Sequence, residues 1–394
     1  MKSPPLRNIR SAYGFIWKIP LKVCKIVVTL WDMKKIFAIA AAVLLMIPFG
    51  LEAKVEWTKV EASELGILGK PFADTPNPYH RIDTVKYKGF TTSENRQCRM
   101  PAGYTVLFKT DADRIGVSIE LGNVRDNGPF ASYQGFDLYI KKDGSWLWAG
   151  RCHFPYDWND KNAVRDLVTD MAPGEKECIL YFPLCCELLS CQVCVPKGCK
   201  IEKMESQFRH RIVFHGSSFT HGISTTRSGM SYPMQFMRRT GLQVVPLGFS
   251  GNCKMQPYFA DVLADVEADA YVFDPFSNPS AKVIKQYLMI FIDRMVKAHP
   301  GKPMIFQKTI YWEKDNFNTA HRAEIQARWA ATDSIMSIAC QKYKDVYYLV
   351  PDAARHDGES STADGVHPND HGYSLWEQSI EAPLLTILFK YGIR

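Results

Sequence analysis

The sequence predicts an α/β protein in which an all-β sandwich precedes a doubly wound parallel sheet. Between residues 55 and 201, short runs of alternating apolar and polar residues are interrupted by Gly, Pro, Asn and Asp, which is typical of antiparallel strands. After residue 207, apolar runs alternate with amphipathic segments, which favours parallel strands joined by helices. We therefore expect a leader at 1–53, a β-sandwich domain at 54–206 and an α/β domain at 207–394.

Individual elements follow from the hydrophobic period. Strands of the sandwich are predicted at 104–109, 114–121, 136–141, 145–149 and 177–183. Strands of the parallel sheet are predicted at 211–215, 243–247, 270–274, 304–308 and 346–350, and helices at 231–240, 257–264, 281–298, 320–343 and 373–389. Polar loops follow the first three parallel strands directly, so we expect these loops to converge at one edge of the sheet.

The N-terminal segment has the pattern of a secretory signal peptide. Met33, Lys34 and Lys35 precede an apolar run at 36–49, and a small residue, Ala53, marks the expected cleavage site. The apolar run is short for a membrane span, so we expect a protein exported to the periplasm or the medium without a stable membrane anchor. A retained N-terminal anchor is the alternative.

Composition and charge exclude several other classes of protein. The apolar content of 46% is that of a globular protein and excludes a disordered chain. The net charge of +7 is concentrated in the leader, where eight Lys and Arg stand against two Asp and Glu, and the remainder carries about +1. The sequence therefore predicts no nucleic-acid partner.

Eleven cysteines are present, and five of them are close together: Cys185, Cys186, Cys191, Cys194 and Cys199. Export would permit disulfides, and the spacing of Cys191 and Cys194 also occurs in zinc sites. Adjacent cysteines are poor metal ligands, however, and a second short-spaced pair is missing. We therefore interpret the cluster as small apolar residues on strands, with one or two disulfides allowed, and predict no metal.

Two segments carry the residue types of nucleophilic catalysis. Asp364 stands three residues before His367 in a turn-rich segment, and a nearby carboxylate fixes the tautomer of a histidine base and stabilises its imidazolium. Ser218 follows the apolar strand at 211–215 in a sharp polar turn, which is where nucleophiles of α/β hydrolases are found. The sequence thus predicts a Ser-His-Asp site.

Four blocks in this order resemble those of the SGNH, or GDSL-type, hydrolases: Gly216-Ser217-Ser218, Gly248-Phe249-Ser250-Gly251-Asn252, Asn278 and Asp364-Gly365-Val366-His367. The segment 135–139, Gly-Phe-Asp-Leu-Tyr, resembles the signature of a β-domain found ahead of some bacterial SGNH esterases. The resemblance covers most of residues 55–394. It implies a flavodoxin-like parallel sheet and an ester hydrolase that needs no metal or organic cofactor.

The resemblance also implies a role for each matching residue. Ser218 becomes the nucleophile, His367 the general base and later acid, and Asp364 the carboxylate that orients the histidine. The backbone N–H groups of Ser218 and Gly251, with the side chain of Asn278, become the oxyanion hole.

Two positions depart from the family pattern, and one serine is a rival. Ser217 stands where the family name has aspartate, at a position that is not the nucleophile. Asn278 lacks the usual Gly-x-Asn-Asp context, so Ser277 or Asn252 are alternatives for its role. Ser250 lies in a glycine-rich turn but misses the G-x-S-x-G pattern, because an asparagine follows the second glycine.

The expected function is hydrolysis of short-chain esters, in particular of acetyl groups on carbohydrate, whether a small molecule or a polysaccharide. Trp312, Tyr311 and Asn316 follow the fourth parallel strand and are candidates for substrate contacts; closing the core edge is the other interpretation of Trp312. A lipid esterase such as a lysophospholipase, an acyltransferase and a glycan-binding protein without catalysis are the alternative functions.

Overall fold

The computed structural model describes residues 55–394 except 126, 127, 129 and 352–360. The expected leader at 1–53 and its signal peptide lie outside the described residues. Strands of the sandwich end at Lys203 and the parallel sheet begins at Arg209, where the sequence pattern changes. Among the described residues, no helix is both long and apolar enough to cross a membrane.

Antiparallel strands of the N-terminal half form two sheets. The strands are β1 Trp57–Glu61, β2 Ile67–Leu68, β3 Thr105–Thr110, β4 Ile115–Val124, β5 Gly135–Lys142, β6 Ser145–His153, β7 Arg165–Val168, β8 Lys176–Tyr181, β9 Cys186–Pro196 and β10 Ile201–Lys203. One sheet has the order β1-β9-β4-β7, and the other has the order β10-β3-β8-β5-β6 with β2 beside β3. Two short helices, α1 Thr92–Cys98 and α2 Phe130–Tyr133, lie between strands; the hydrophobic pattern had indicated neither.

The two sheets face each other across an apolar core, as expected of a sandwich. Alternate residues of one sheet, such as Phe108 and Leu180, pack against alternate residues of the other, such as Val117 and Val193. Cys186 and Cys191 of β9 belong to this layer, and all ten cysteines within the described residues are free thiols. The disulfides that export would permit are therefore absent from this part of the chain.

The C-terminal half is a five-stranded parallel sheet flanked by helices. Its strands are β11 Arg209–Gly216, β12 Leu242–Gly248, β13 Ala270–Asp274, β14 Met304–Gln307 and β15 Val346–Leu349, in the order β12-β11-β13-β14-β15. Its helices are α3 Ser218–His221, α4 Tyr232–Thr240, α5 Pro257–Ala264, α6 Ala281–Ala298, α7 Thr319–Lys342 and α8 Asp370–Phe389. This strand order is the flavodoxin-like arrangement, so the predicted fold class is confirmed.

The outer face of the second sandwich sheet packs against the α/β half. Leu107, Tyr139 and Tyr181 share one buried apolar cluster with Phe214 of β11 and Tyr232 of α4. Burial of large apolar and aromatic side chains is the main favourable term in folding. The sandwich therefore contributes directly to the core that supports β11 and the turn after it.

Candidate active site

The first three strands of the parallel sheet end at the same level. Gly216 of β11 is paired in register with Gly248 of β12 on one side and with Asp274 of β13 on the other. Neighbouring strands lie about 4.8 Å apart, so the loops that follow begin side by side. The backbone N–H of Phe249 donates to the carbonyl of Gly216 at 2.8 Å. The expected convergence of polar loops is present.

The turn after β11 presents Ser218 at the start of α3. Ser217 caps this short helix: its Oγ accepts from the N–H of Phe219 at 3.2 Å and donates to Oδ2 of Asp274 at 2.9 Å. The helix passes so close to β12 that a Cβ at Gly248 would lie 2.1 Å from the backbone nitrogen of His221. Only glycine fits at that point, and the close approach fixes the height of the serine above the sheet.

Ser218, His367 and Asp364 form a continuous chain of contacts. His367 Nε2 lies 3.0 Å from Ser218 Oγ, and His367 Nδ1 lies 2.8 Å from Asp364 Oδ2. The other carboxylate oxygen, Oδ1, accepts from the backbone N–H of Val366 at 3.0 Å and of His367 at 2.7 Å. One aspartate therefore shapes the local turn and orients the imidazole, which explains the three-residue spacing in the sequence.

The hydrogen bonds among these three residues favour the ionised form of Asp364. Partial burial raises the pKa of Asp364, but hydrogen bonds from the side chain and backbone of His367 outweigh it, and the net pKa is lowered. The side chain of Asp364 is 52% exposed, whereas that of His367 is 24% exposed. Water screens an exposed charge, so Asp364 acts more by orienting the ring than by a strong field.

A second carboxylate holds the loop that carries the histidine. Glu313 accepts from the backbone N–H of Ser361 at 2.6 Å and from the hydroxyl of Thr362. The N–H of the next residue, Lys314, donates to the carbonyl of Gly365 at 2.8 Å. Sequence reasoning missed this contact, because it joins segments nearly fifty residues apart and leaves no periodic signal.

The predicted oxyanion donors lie on the two neighbouring loops. Gly251 follows β12 and has a φ of +72°, a conformation that side chains disfavour. Asn278 follows β13, and its Oδ1 accepts from the N–H of Cys253 at 3.2 Å. With the oxygen engaged, the amide nitrogen of Asn278 is the group available to donate. Their catalytic role stays a prediction.

Of the predicted substrate residues, Trp312 contacts the residue that follows Ser218. Trp312 is only 7% exposed and packs edge to face against Phe219, with ring centroids 6.2 Å apart. The hydroxyl of Tyr311 donates to Asn316, so these two side chains hold each other. Trp312 therefore closes the apolar core next to the site. Direct substrate contact by Trp312, Tyr311 and Asn316 remains a prediction.

Two buried histidines near the serine serve the fold. His215 Nδ1 lies 3.0 Å from the carbonyl of Leu247, and His221 Nε2 lies 2.6 Å from that of Leu184. Burial lowers the pKa of His215 to about 4 and that of His221 to about 3. Both are therefore neutral at pH 7.

A serine, a histidine and an aspartate in hydrogen-bond contact at the carboxyl edge of a parallel sheet define a site of the serine-hydrolase class. No cluster of three potential metal ligands occurs in the portion of the chain that the structure describes.

Comparison with known proteins agrees with this class. Residues 209–384 match the model of the GDSL-like lipase/acylhydrolase family, and residues 55–201 match the N-terminus of SGNH-hydrolase-type esterases. A structure described as a GDSL-like lipase from Bacteroides ovatus is 32% identical, with 85% of this chain and 98% of that chain covered and a TM-score of 0.79. The chain belongs to the GDSL-like lipase/acylhydrolase family and is an ester hydrolase of the SGNH type.

More distant structures share the fold. A salicylyl-acyltransferase from a tetracycline biosynthetic pathway is 19% identical, with 86% of this chain and 99% of that chain covered and a TM-score of 0.65. A family two carbohydrate esterase from Clostridium thermocellum, in complex with cellohexaose, is 14% identical, with coverages of 73% and 93% and a TM-score of 0.55. A comparison with curated protein sequences gives no match.

The buried carboxyl of Asp274 predicts a specific dependence of stability on pH. Burial raises its pKa to about 7, although hydrogen bonds from Ser217 and Thr220 act in the opposite direction. Between the unfolded pKa of 3.8 and about 7, the unfolded chain releases this proton while the native chain keeps it, so rising pH favours unfolding. By linkage, the rise in pH across that window lowers the free energy of unfolding by on the order of 4 kcal/mol through this carboxyl.

Asp274→Asn should remove this dependence, because an amide does not titrate. We expect the free energy of unfolding, measured by urea denaturation at about pH 4.5 and pH 8, to fall less with pH in the variant than in the wild type. Any fixed cost of the buried amide would be the same at both pH values. Parallel pH profiles for the two proteins would contradict the assignment.

Proposed function

We propose that this protein is an exported serine esterase that removes short acyl groups, acetyl above all, from carbohydrate. One observation carries the proposal: the chain of contacts from Ser218 Oγ to His367 Nε2, at 3.0 Å, and from His367 Nδ1 to Asp364 Oδ2, at 2.8 Å. A serine hydroxyl is a weak nucleophile until a positioned base takes its proton, and this geometry supplies the base.

In the acylation step, Ser218 Oγ attacks the ester carbonyl as its proton passes to His367 Nε2. Asp364 stabilises the imidazolium that forms and keeps Nδ1 protonated. The negative charge that develops on the carbonyl oxygen requires donors already in place, for which the N–H groups of Ser218 and Gly251 and the amide of Asn278 are proposed. Collapse of the intermediate expels the alcohol, which takes the proton from His367.

In the deacylation step, water replaces the alcohol. His367 removes a proton from the water as it attacks the acyl-serine carbonyl, and the same donors stabilise the second tetrahedral intermediate. Return of the proton to Ser218 Oγ releases the carboxylic acid and restores the enzyme. No step requires a group beyond these side chains and backbone donors.

An exposed aromatic beside the site supports a carbohydrate alcohol. Phe317 is 96% exposed and lines an open cleft of about 570 Å³ with Lys314 and Asn318. The hydrogen bond from Lys314 to Gly365 places this cleft next to the loop that carries His367. A flat aromatic face with polar neighbours suits a sugar ring better than an acyl chain. The carbohydrate esterases among the structural neighbours agree with this choice.

Export is part of the proposal and rests on the leader. The charged start at Met33, Lys34 and Lys35, the apolar run at 36–49 and the small residue Ala53 form the pattern of a cleavable signal peptide. An enzyme that acts on polymeric carbohydrate has to reach it outside the cytoplasm, so the leader and the proposed substrate are mutually consistent.

The nucleophile is tested with p-nitrophenyl esters from acetate to octanoate. We expect activity to peak at acetate and Ser218→Ala to lower kcat by at least about 10⁴-fold, because the attacking oxygen is lost. Ser250→Ala is the matched control and should retain activity. Loss of activity in the control alone would make Ser250 the nucleophile, a peak at octanoate would favour a lipid esterase, and a wild type without turnover would favour transfer or binding.

The orienting role of Asp364 predicts an intermediate loss. We expect Asp364→Ala to lower kcat by roughly 10²-fold, less than the 10⁴-fold typical of a buried triad aspartate, because this carboxylate is half exposed. His367→Ala should cost about as much as Ser218→Ala, since both remove the same proton transfer. Steady-state kinetics on p-nitrophenyl acetate measures all three, and equal losses for Asp364→Ala and His367→Ala would contradict an orienting role.

The carbohydrate proposal is tested at Phe317. We expect Phe317→Ala to raise KM for acetylated xylo- or cello-oligosaccharides about tenfold while leaving hydrolysis of p-nitrophenyl acetate unchanged, because only the sugar reaches the cleft. Phe389→Ala is the control: it removes an aromatic that is also exposed, but at the far end of α8, about 30 Å from the helix start that follows His367. Equal KM values in wild type and Phe317→Ala would remove this support.

A further inference from the structure

We propose that Gln97, from the N-terminal half, is a positioning residue that sets the N–H of Gly251 for catalysis. The inference rests on the proposed function, because it concerns the oxyanion hole of the same site. The segment in question is the glycine loop, defined here as residues 248–252, which follows β12. Nothing in the sequence pattern of α1 had suggested a link to it.

The side-chain amide of Gln97 pairs with both backbone groups of one loop residue. Its Oε1 accepts from the N–H of Ser250 at 2.7 Å, and its Nε2 donates to the carbonyl of Ser250 at 3.0 Å. Gln97 is 7% exposed, so water competes weakly for these bonds. These two hydrogen bonds satisfy the backbone of Ser250 in the same way as a neighbouring β-strand would.

This contact fixes the direction of the proposed oxyanion donor. The carbonyl of Ser250 and the N–H of Gly251 belong to the same peptide group. In a planar trans peptide these two bonds point in opposite directions, so a donor that holds the oxygen on one side aims the N–H at the other. Gly251 has a φ of +72° and is exposed. The carbonyl of Ser250 also accepts from the side chain of Asn252 at 2.8 Å within the loop, and Gln97 is the buried donor that holds this oxygen from outside the loop.

A buried arginine restrains the start of the same loop. Arg81 is fully buried; its Nη1 donates to the carbonyl of Gly248 at 3.0 Å and its Nη2 to the carbonyl of Gln97 at 2.7 Å. Its guanidinium lies 4.8 Å from the ring centroid of Phe249. Arg81 thus links α1 and the glycine loop through two carbonyls and one aromatic face.

The helix that carries Gln97 is itself fixed. Thr91 and Glu94 form a capping box at its start, and the carboxylate of Glu94 also accepts from Gln256 at 3.0 Å and from the hydroxyl of Tyr258 at 2.9 Å. Gln256 and Tyr258 stand at the start of α5, just beyond the glycine loop. The helix α1 is therefore linked by hydrogen bonds to the chain both at the start of the glycine loop, through the buried arginine, and just beyond its end, which fixes the position of Gln97.

The test is the rate at which a fluorophosphonate labels Ser218, because the tetrahedral phosphorus adduct places an oxygen in the oxyanion hole. Gln97→Met keeps the length of the side chain but removes both hydrogen bonds. We expect labelling and kcat on p-nitrophenyl acetate to fall about ten- to a hundredfold, below the cost of deleting a donor outright, with KM changed less than about threefold. A fall in kcat with little change in KM indicates that the variant destabilises the transition state and leaves substrate binding intact.

Two further variants keep the test decisive. Gln97→Glu is nearly isosteric but offers no amide donor to Ser250, so at pH 8 it should show the same loss. Asn95→Ala is the matched control: the amide of Asn95 donates to the carbonyl of Phe90 within the α1 segment and not to the glycine loop, so labelling should stay at the wild-type rate.

The outcomes separate this inference from the proposed function. Either Gln97 variant, folded and labelled at the wild-type rate, overturns the positioning role while Ser218 remains the nucleophile. A rise in KM at unchanged kcat also overturns it, because the residue would then act on substrate binding. A wild type that is neither labelled at Ser218 nor active on any ester overturns both.

Discussion

The site depends on one constraint: three neighbouring parallel strands end in register. Gly216, Gly248 and Asp274 lie side by side. The turn with Ser218, the glycine loop and the loop with Asn278 therefore all begin at one level. Parallel strands direct all their carboxyl ends to the same edge, and a change of strand order at β11 opens a crevice there. Only His367 and Asp364 have to be supplied from elsewhere, and their loop is held by Glu313.

The position at which the family name has aspartate is linked to a buried carboxyl group on the neighbouring strand. Ser217 stands at that position, and its hydroxyl donates to Asp274 from the neighbouring strand at 2.9 Å. The hydroxyl of Ser217 thus both caps α3 and joins it to β13. A carboxyl with a raised pKa therefore lies beside the turn that carries Ser218, which ties the stability of that turn to pH.

Much of this architecture was predictable because it is local or periodic. The parallel strands and long helices lie within a few residues of the positions their hydrophobic period indicated, and the pair Asp364 and His367 is joined through a single turn. Contacts such as Gln97 with Ser250, 153 residues apart, follow from how the two halves pack and have no sequence pattern. The free cysteines show the same limit: spacing permits a disulfide but does not place two sulfur atoms together.

If Ser218 is the nucleophile, the acyl group of the substrate is attached to its Oγ during turnover, and mass spectrometry detects this intermediate. p-Nitrophenyl acetate is an activated ester that acylates fast, so the acyl-enzyme accumulates when deacylation is slow. Quenching the reaction in acid during turnover then traps this intermediate. We expect one acetyl group on the peptide that contains Ser218. An acetyl group on the peptide that contains Ser250 instead, or hydrolysis in which a burst of p-nitrophenol leaves no acetyl on Ser218, would contradict it.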